Sequence, residues 1–344
     1  MIAPADKAVL RLAVGLGLAV LVAYGAALPL PLPYVVCLMA VLVLTKPGPP
    51  LPLAKGAAIA AVLAALVSVG VLMVPLLENY ALAGVLLTGV ILYGLFFAGI
   101  RTGNPLTMVL VIAFTMIPVA GVAEQALVTA IAVTLAAGFA LGSLVGGVSH
   151  AFFPDPPQPA AKKAPPAIDR ETASWIALRG MLVVLPPFVL ALTDPSSYLA
   201  TIMKSAQLGQ QAGSTDTRKA GVELVGSTLA AAGIALVVWV GLSLWANLWM
   251  LVLWMAGAAL WVGARLYRVV PTAFPPAFWN NALVTTIILI GPAIEDSANG
   301  SAVLQASAVR VALFVGVSLY AWAMVWVLER WRTTRRQALF FDHG

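Results

Sequence analysis

Twelve apolar runs divide this chain. Several are near the roughly 20 residues that cross a ~30 Å hydrocarbon layer as one helix. The first six lie at Ala8–Leu28, Pro31–Thr45, Ala57–Leu76, Ala81–Gly99, Leu106–Val119 and Ala126–Val148. The second six lie at Trp175–Leu192, Pro195–Gln211, Ala220–Leu244, Leu248–Tyr267, Phe278–Ile294 and Val303–Leu328. The runs are continuous rather than alternating, which excludes a transmembrane β-barrel and predicts an all-α polytopic membrane protein of about twelve spans. Between the two sixes stands PDPPQPAAKKAPPAIDRETA, where repeated Pro and charge stop a helix. The expected organisation is a first six-helix membrane repeat at 1–153, a cytoplasmic linker at 154–173, a second repeat at 174–330 and a cytoplasmic tail at 331–344.

The two halves match at spaced points. KAVLRLAVGL aligns with SWIALRGMLV, which sets Arg11 against Arg179. Tyr34 then falls against Tyr198, Lys55 against Lys219, Gly99–Arg101 against Gly263–Arg265, and Pro118 against Pro292. Six spans is an even number, so the repeats should run parallel and be related by an axis along the membrane normal. The first run counts as a span rather than a cleaved signal, because removing it would break that symmetry.

Charge sets the expected orientation. With both termini cytoplasmic, only Lys204 and Arg310 of the nineteen Lys and Arg residues fall outside the cytoplasmic ends. The opposite loops carry Glu78, Glu124, Asp194, Glu295 and Asp296. That is the positive-inside pattern, and it assigns the +6 net charge to topology rather than to nucleic acid. Composition agrees: at 62% hydrophobic and 9% charged residues, the chain has more apolar surface than a soluble domain of this length can hide. One cysteine, Cys37, rules out an internal disulfide. His150 and His343 join no cluster with metal-ligand spacing, no glycine loop suits a nucleotide phosphate, and no nucleophile–base pair is visible. Neither a cofactor nor an enzymatic activity is expected.

The candidate chemistry lies in the second half, in YLATIMKSAQLGQQ. Lys204 follows Asp194 by ten residues, about 15 Å into the membrane. Arg310 follows Ser301 by nine, so it reaches a similar depth from the same side. A charge at that depth costs roughly 2.5–3.5 kcal/mol even on the lenient insertion scale, so something must compensate it. Two readings stand. The cations snorkel to Asp194, Glu295 and Asp296 as structural ion pairs, or together they hold an anionic guest. On the second reading Thr201, Gln207 and Gln211 share the face of Lys204, and Tyr198 is placed to touch a substrate ring. Glu223, Glu295 and Asp296 are the candidates for proton binding. Pro186, Pro187, Pro118 and Pro292 are expected to kink their spans. Asn280 and Asn281 are expected to cap the eleventh segment.

The second half also resembles a known family. GSTDTRKAGVELVGSTLAAAG, Gly213 to Gly233, resembles the signature of fusaric-acid-resistance and aromatic-acid-exporter proteins, with Arg218, Gly226 and Thr228 in matching places and alanine where the pattern's last glycine belongs. KSAQLGQQ, FPPAFWNNALVTTIILIGPAIEDSANG and ASAVR extend the likeness from Trp175 to Trp331, as a compact branch of that superfamily. The resemblance implies bacterial inner-membrane export of aromatic or other organic anions, driven by the proton gradient, with a periplasmic membrane-fusion-type adaptor and an outer-membrane channel as partners. The large cytoplasmic domain of the bigger exporters is absent from this sequence. That leaves two alternatives open: a passive organic-anion channel, and a non-transporting membrane anchor for an adaptor complex.

Overall fold

A computed structural model describes residues 3–26, 30–45, 53–103, 107–154, 168–212, 220–298, 300 and 303–341. Most of the expected linker lies outside these residues, as do Lys46, Lys162, Lys163, Arg218, Lys219 and His343. Among the described residues there are twelve helices and no strand. They are α1 (Pro4–Gly25), α2 (Pro33–Leu44), α3 (Leu53–Asn79), α4 (Ala81–Thr102), α5 (Thr107–Ala123) and α6 (Gln125–Phe152). In the second half come α7 (Arg170–Thr193), α8 (Pro195–Ala212), α9 (Val222–Leu244), α10 (Leu248–Leu266), α11 (Pro276–Ala298) and α12 (Val303–Phe341). Each apolar run contains one helix. Helix α12 continues past its membrane run as far as Phe341.

Eight of the twelve helices are long and apolar enough to cross a membrane, which makes the chain a multi-pass membrane protein. The shortfall has a physical reason. Among the described residues α3 offers only the apolar stretch Val67–Asn79, α2 has 12 residues and α5 has 17, and α8 carries too many polar side chains. These elements do not meet lipid on all sides. Residues 34–41 of α2, 107–120 of α5 except Leu110, 201–209 of α8 and most of α11 are buried. Helices α2, α5, α8 and α11 therefore form the middle of the molecule, with α2 packed on α11 and α5 on α8. The longer, partly exposed helices surround them.

Neighbour relations in the first half recur in the second at helix number plus six. Helix α1 packs on α2 and α6, as α7 packs on α8 and α12. Helices α2 and α6, and α3 and α5, have counterparts in α8 and α12, and in α9 and α11. Between the halves, α1 against α10 corresponds to α7 against α4. The aligned arginines make corresponding links. Arg11 on α1 donates to His150 Nδ1 on α6 at 2.9 Å. Arg179 on α7 pairs with Glu329 Oε1 on α12 at 2.8 Å, and Trp175 Nε1 donates to the same oxygen at 3.2 Å. Two relations have no counterpart of similar extent: α8 packs on α11, whereas α2 meets α5 marginally at most, and α5 packs on α7, whereas α11 meets α1 marginally at most.

Small residues allow the closest approaches. A Cβ on Gly142 of α6 would lie 2.9 Å from the Ala40 nitrogen and 3.0 Å from the Met39 carbonyl carbon of α2. One turn away, Gly138 faces the same helix, a small-xxx-small contact of the kind that brings membrane helices together. Gly142→Ala is expected to cost about 1–3 kcal/mol by overpacking, read as a lower melting temperature in detergent. Gly147→Ala, whose new Cβ meets nothing within 4 Å, should be neutral or slightly stabilising through helix propensity.

Candidate functional site

The packing of α8 on α11 encloses a polar network in an otherwise apolar centre. Thr201, Lys204, Gln207 and Gln211 lie three or four residues apart on α8, so they share one side of it. Helix α11 presents Asn281 and Thr285 one turn apart. The Lys204 side chain is fully buried. Its ammonium donates to Thr285 Oγ1 at 2.8 Å and to Asn281 Oδ1 at 3.3 Å. Thr285 Oγ1 donates in turn to Gln207 Oε1 at 3.3 Å, and Gln207 Nε2 donates to the Asn281 carbonyl at 3.3 Å. Farther along α8, Gln211 Nε2 donates to the Ala277 carbonyl at 3.0 Å.

A third helix completes the network. Helix α9 opens with a π-helical turn, Val222–Gly226, the kind of local widening that re-aims backbone groups inside a helix. Ser227 follows it and donates to the Glu223 carbonyl, while Asn281 Nδ2 donates to Ser227 Oγ. Thr228 Oγ1 and Ser318 Oγ of α12 are 2.9 Å apart, which carries polar contact on to the last helix. Each side-chain amide and hydroxyl between Lys204 and Ser227 thus has a donor or acceptor on each side, as buried polar groups require.

Two binding capacities remain at the centre. An ammonium has three N–H donors, and two of those on Lys204 reach protein acceptors. Thr201 Oγ1, three residues earlier on the same side of α8, is buried without a hydrogen-bond partner. Among the described residues no carboxylate lies within ion-pair distance of Lys204. An anion is the chemical complement of such a place, because a buried cation attracts it in a medium of low dielectric constant.

Arg310 is not part of this network, and the expectation of one shared two-cation site does not hold. Its Nη1 pairs with Asp296 Oδ2 at 2.6 Å. Eleven residues of α11 separate Asp296 from Thr285, about 16 Å along the axis. The ion-pair reading thus describes Arg310, while Lys204 stays buried and pairs with no acid among the described residues. Glu295 adjoins the Arg310–Asp296 pair, with its Oε1 buried and without a hydrogen-bond partner. Tyr198 is partly buried against the core near the start of α8, and among the described residues no side-chain hydrogen bond joins it to the network. Glu223 is buried in the π-helical turn.

Asn281 is the residue whose role the sequence misassigned. Expected with Asn280 to cap the eleventh segment, it instead stands, as Asn280 does, within α11, which starts at Pro276, and it is completely buried. Its spacing of four from Thr285 was the available signal, since two polar residues one turn apart inside an apolar run mark a buried polar side.

Comparison with known proteins gives a partial family match and no function. A family described as "Protein of unknown function (DUF2955)" matches residues 8–146, less than half of the chain. That stretch covers α1–α6 and not the half that holds the network. No curated protein and no solved structure matches the sequence.

Asn281→Leu should destabilise the protein by roughly 1–3 kcal/mol, because it strands donors on Lys204 and an acceptor on Ser227. Lys204→Met should also destabilise. The double substitution should cost less than the sum of the two by more than about 0.5 kcal/mol, measured by denaturant unfolding in detergent. Strict additivity would show that the residues do not act as one network.

Proposed function

We propose that the chain is a bacterial inner-membrane transporter that exports small organic anions, aromatic carboxylates foremost. The single observation that supports this reading is Lys204: a fully buried cation with no acidic partner among the described residues, beside the unbonded hydroxyl of Thr201. A carboxylate placed there would take the third ammonium proton and the threonine proton together. Charge-assisted bonds of this kind are about twice as strong as neutral ones.

The recurrence of neighbours at helix number plus six supports two parallel six-helix repeats, the second of which holds the anion. The likeness of the second half to aromatic-acid exporters adds proton coupling, with Glu223, Glu295 and Asp296 as carriers. It also adds a periplasmic adaptor and an outer-membrane channel. The short periplasmic loops that the charge pattern predicts are consistent with such partners, since they span no further compartment. Passive anion flow is the second reading, favoured by one feature: no described carboxylate adjoins Lys204 to link a proton to the anion.

Uptake of labelled hydroxybenzoate into inside-out vesicles tests both readings. Uptake should require a pH gradient and fall at least tenfold in Lys204→Gln. Gradient-independent uptake that follows voltage would establish the channel instead. Equal uptake by wild type and Lys204→Gln would remove the anion role of the lysine.

A further inference from the structure

Helices α9 and α10 do not close against each other along their outer sides. Between them lies a groove of about 1020 Å³, enough for a small organic ligand. Glycines make the room. Gly233 on α9 and Gly257 on α10 line the groove, and a Cβ on either would meet nothing within 4 Å. The groove is apolar along its length and aromatic at one end. There the Phe274 and Phe278 rings stack at 4.3 Å, Trp279 stands edge-on to Phe278 at 5.1 Å, and Trp261 edge-on to Trp279 at 5.5 Å. The Arg265 guanidinium lies 3.8 Å over Trp261 and 5.4 Å from the Trp279 centroid. No carboxylate among the described residues is within ion-pair distance of it.

The groove backs directly onto the polar network. A Cβ on Gly226 would be 3.3 Å from the Phe278 ring, so this one aromatic side chain closes the inner wall. Ser227, the next residue after Gly226, belongs to the network, and so does Asn281, one turn after Phe278. Gly226 also ends the π-helical turn, where backbone register is least fixed by a regular ladder.

We infer that the α9–α10 groove is the entry route of the transported anion, taken laterally from the membrane, with Phe278 as the partition between the groove and Lys204. This inference rests on the transport reading. The occupant is an aromatic carboxylate. Its flat ring matches the wall of rings, and its charge matches the guanidinium of Arg265. The acyl chains of a lipid would need neither. By the positive-inside pattern the aromatic end faces the cytoplasm, so an anion leaving the cell would meet Arg265 first and Lys204 second.

Labelling tests occupancy without requiring transport. In a Cys37→Ser background, Gly257→Cys places the sole thiol in the groove of protein reconstituted in phosphatidylcholine vesicles. Saturating 2-naphthoate should slow alkylation by N-ethylmaleimide at least fivefold, and should still do so when Lys204→Gln is added. An unchanged rate, whether fast in an open groove or slow in a lipid-filled one, overturns the inference. The route is tested by naphthoate uptake with Gly257→Phe against Gly147→Phe, the latter also built into open space. Gly257→Phe should lose at least tenfold and Gly147→Phe should keep its uptake. If the two behave alike while Lys204→Gln abolishes uptake, the groove is not the way in and the anion role of Lys204 stands. If Lys204→Gln leaves uptake intact while naphthoate protects the thiol, the anion role of Lys204 fails on its own and the groove stands as a binding place.

Discussion

An ammonium group buried in an apolar bundle must be surrounded by acceptors, or it destabilises the fold by more than any one helix contact contributes. Lys204 imposes that demand on α8, and the arrangement around it follows. Thr285 and Asn281 must face inward on α11, Gln207 must reach across to them, and Ser227 must turn toward Asn281. The π-helical turn of α9 puts Ser227 in place. Without the lysine, an apolar α8 would satisfy the same position more simply. The network is therefore a cost the fold carries, and such costs inside membranes accompany function more often than not.

The two-fold pattern of neighbours makes the network conspicuous. In the register that pairs Tyr34 with Tyr198, Lys204 corresponds to Ala40 and Gln207 to Val43. In the register that pairs Pro118 with Pro292, Thr285 corresponds to Val111 and Asn281 to Thr107. The first half thus offers a nearly apolar version of the same place. Packing follows chemistry: α8 lies on α11 where the polar groups must meet, and the corresponding helices α2 and α5 stay nearly apart. Corresponding links elsewhere, Arg11 with His150 and Arg179 with Glu329, hold the first helix of each half to its last.

Much of this was legible in the residues. Apolar runs of helical length gave every helix, because a lipid-facing element has no other way to satisfy its backbone. The polarity of residues 198–211 marked α8 as special for the same reason. The partners of Lys204 were not legible. Asn281 and Thr285 are nearly eighty residues away, and an asparagine after prolines has an ordinary local explanation. Depth along a helix was a poor guide to proximity, as Arg310 shows: its depth resembles that of Lys204, yet a carboxylate on the neighbouring helix claims it. The α9–α10 groove was hidden because it consists of what glycines leave out, and absent side chains make no pattern until two helices are set side by side.

The direction of the hydrogen bonds has a further consequence. From Lys204 the bonds run outward through Thr285 to Gln207, and through Asn281 to Ser227, and each line enters a carboxamide. Water and imidazole can hand a proton on by exchanging which bond is covalent; a carboxamide does so only through a high-energy tautomer. The network therefore solvates a cation as a row of waters would, yet conducts no protons. At the level of this network, a bilayer with the protein in it keeps its insulation against proton leak.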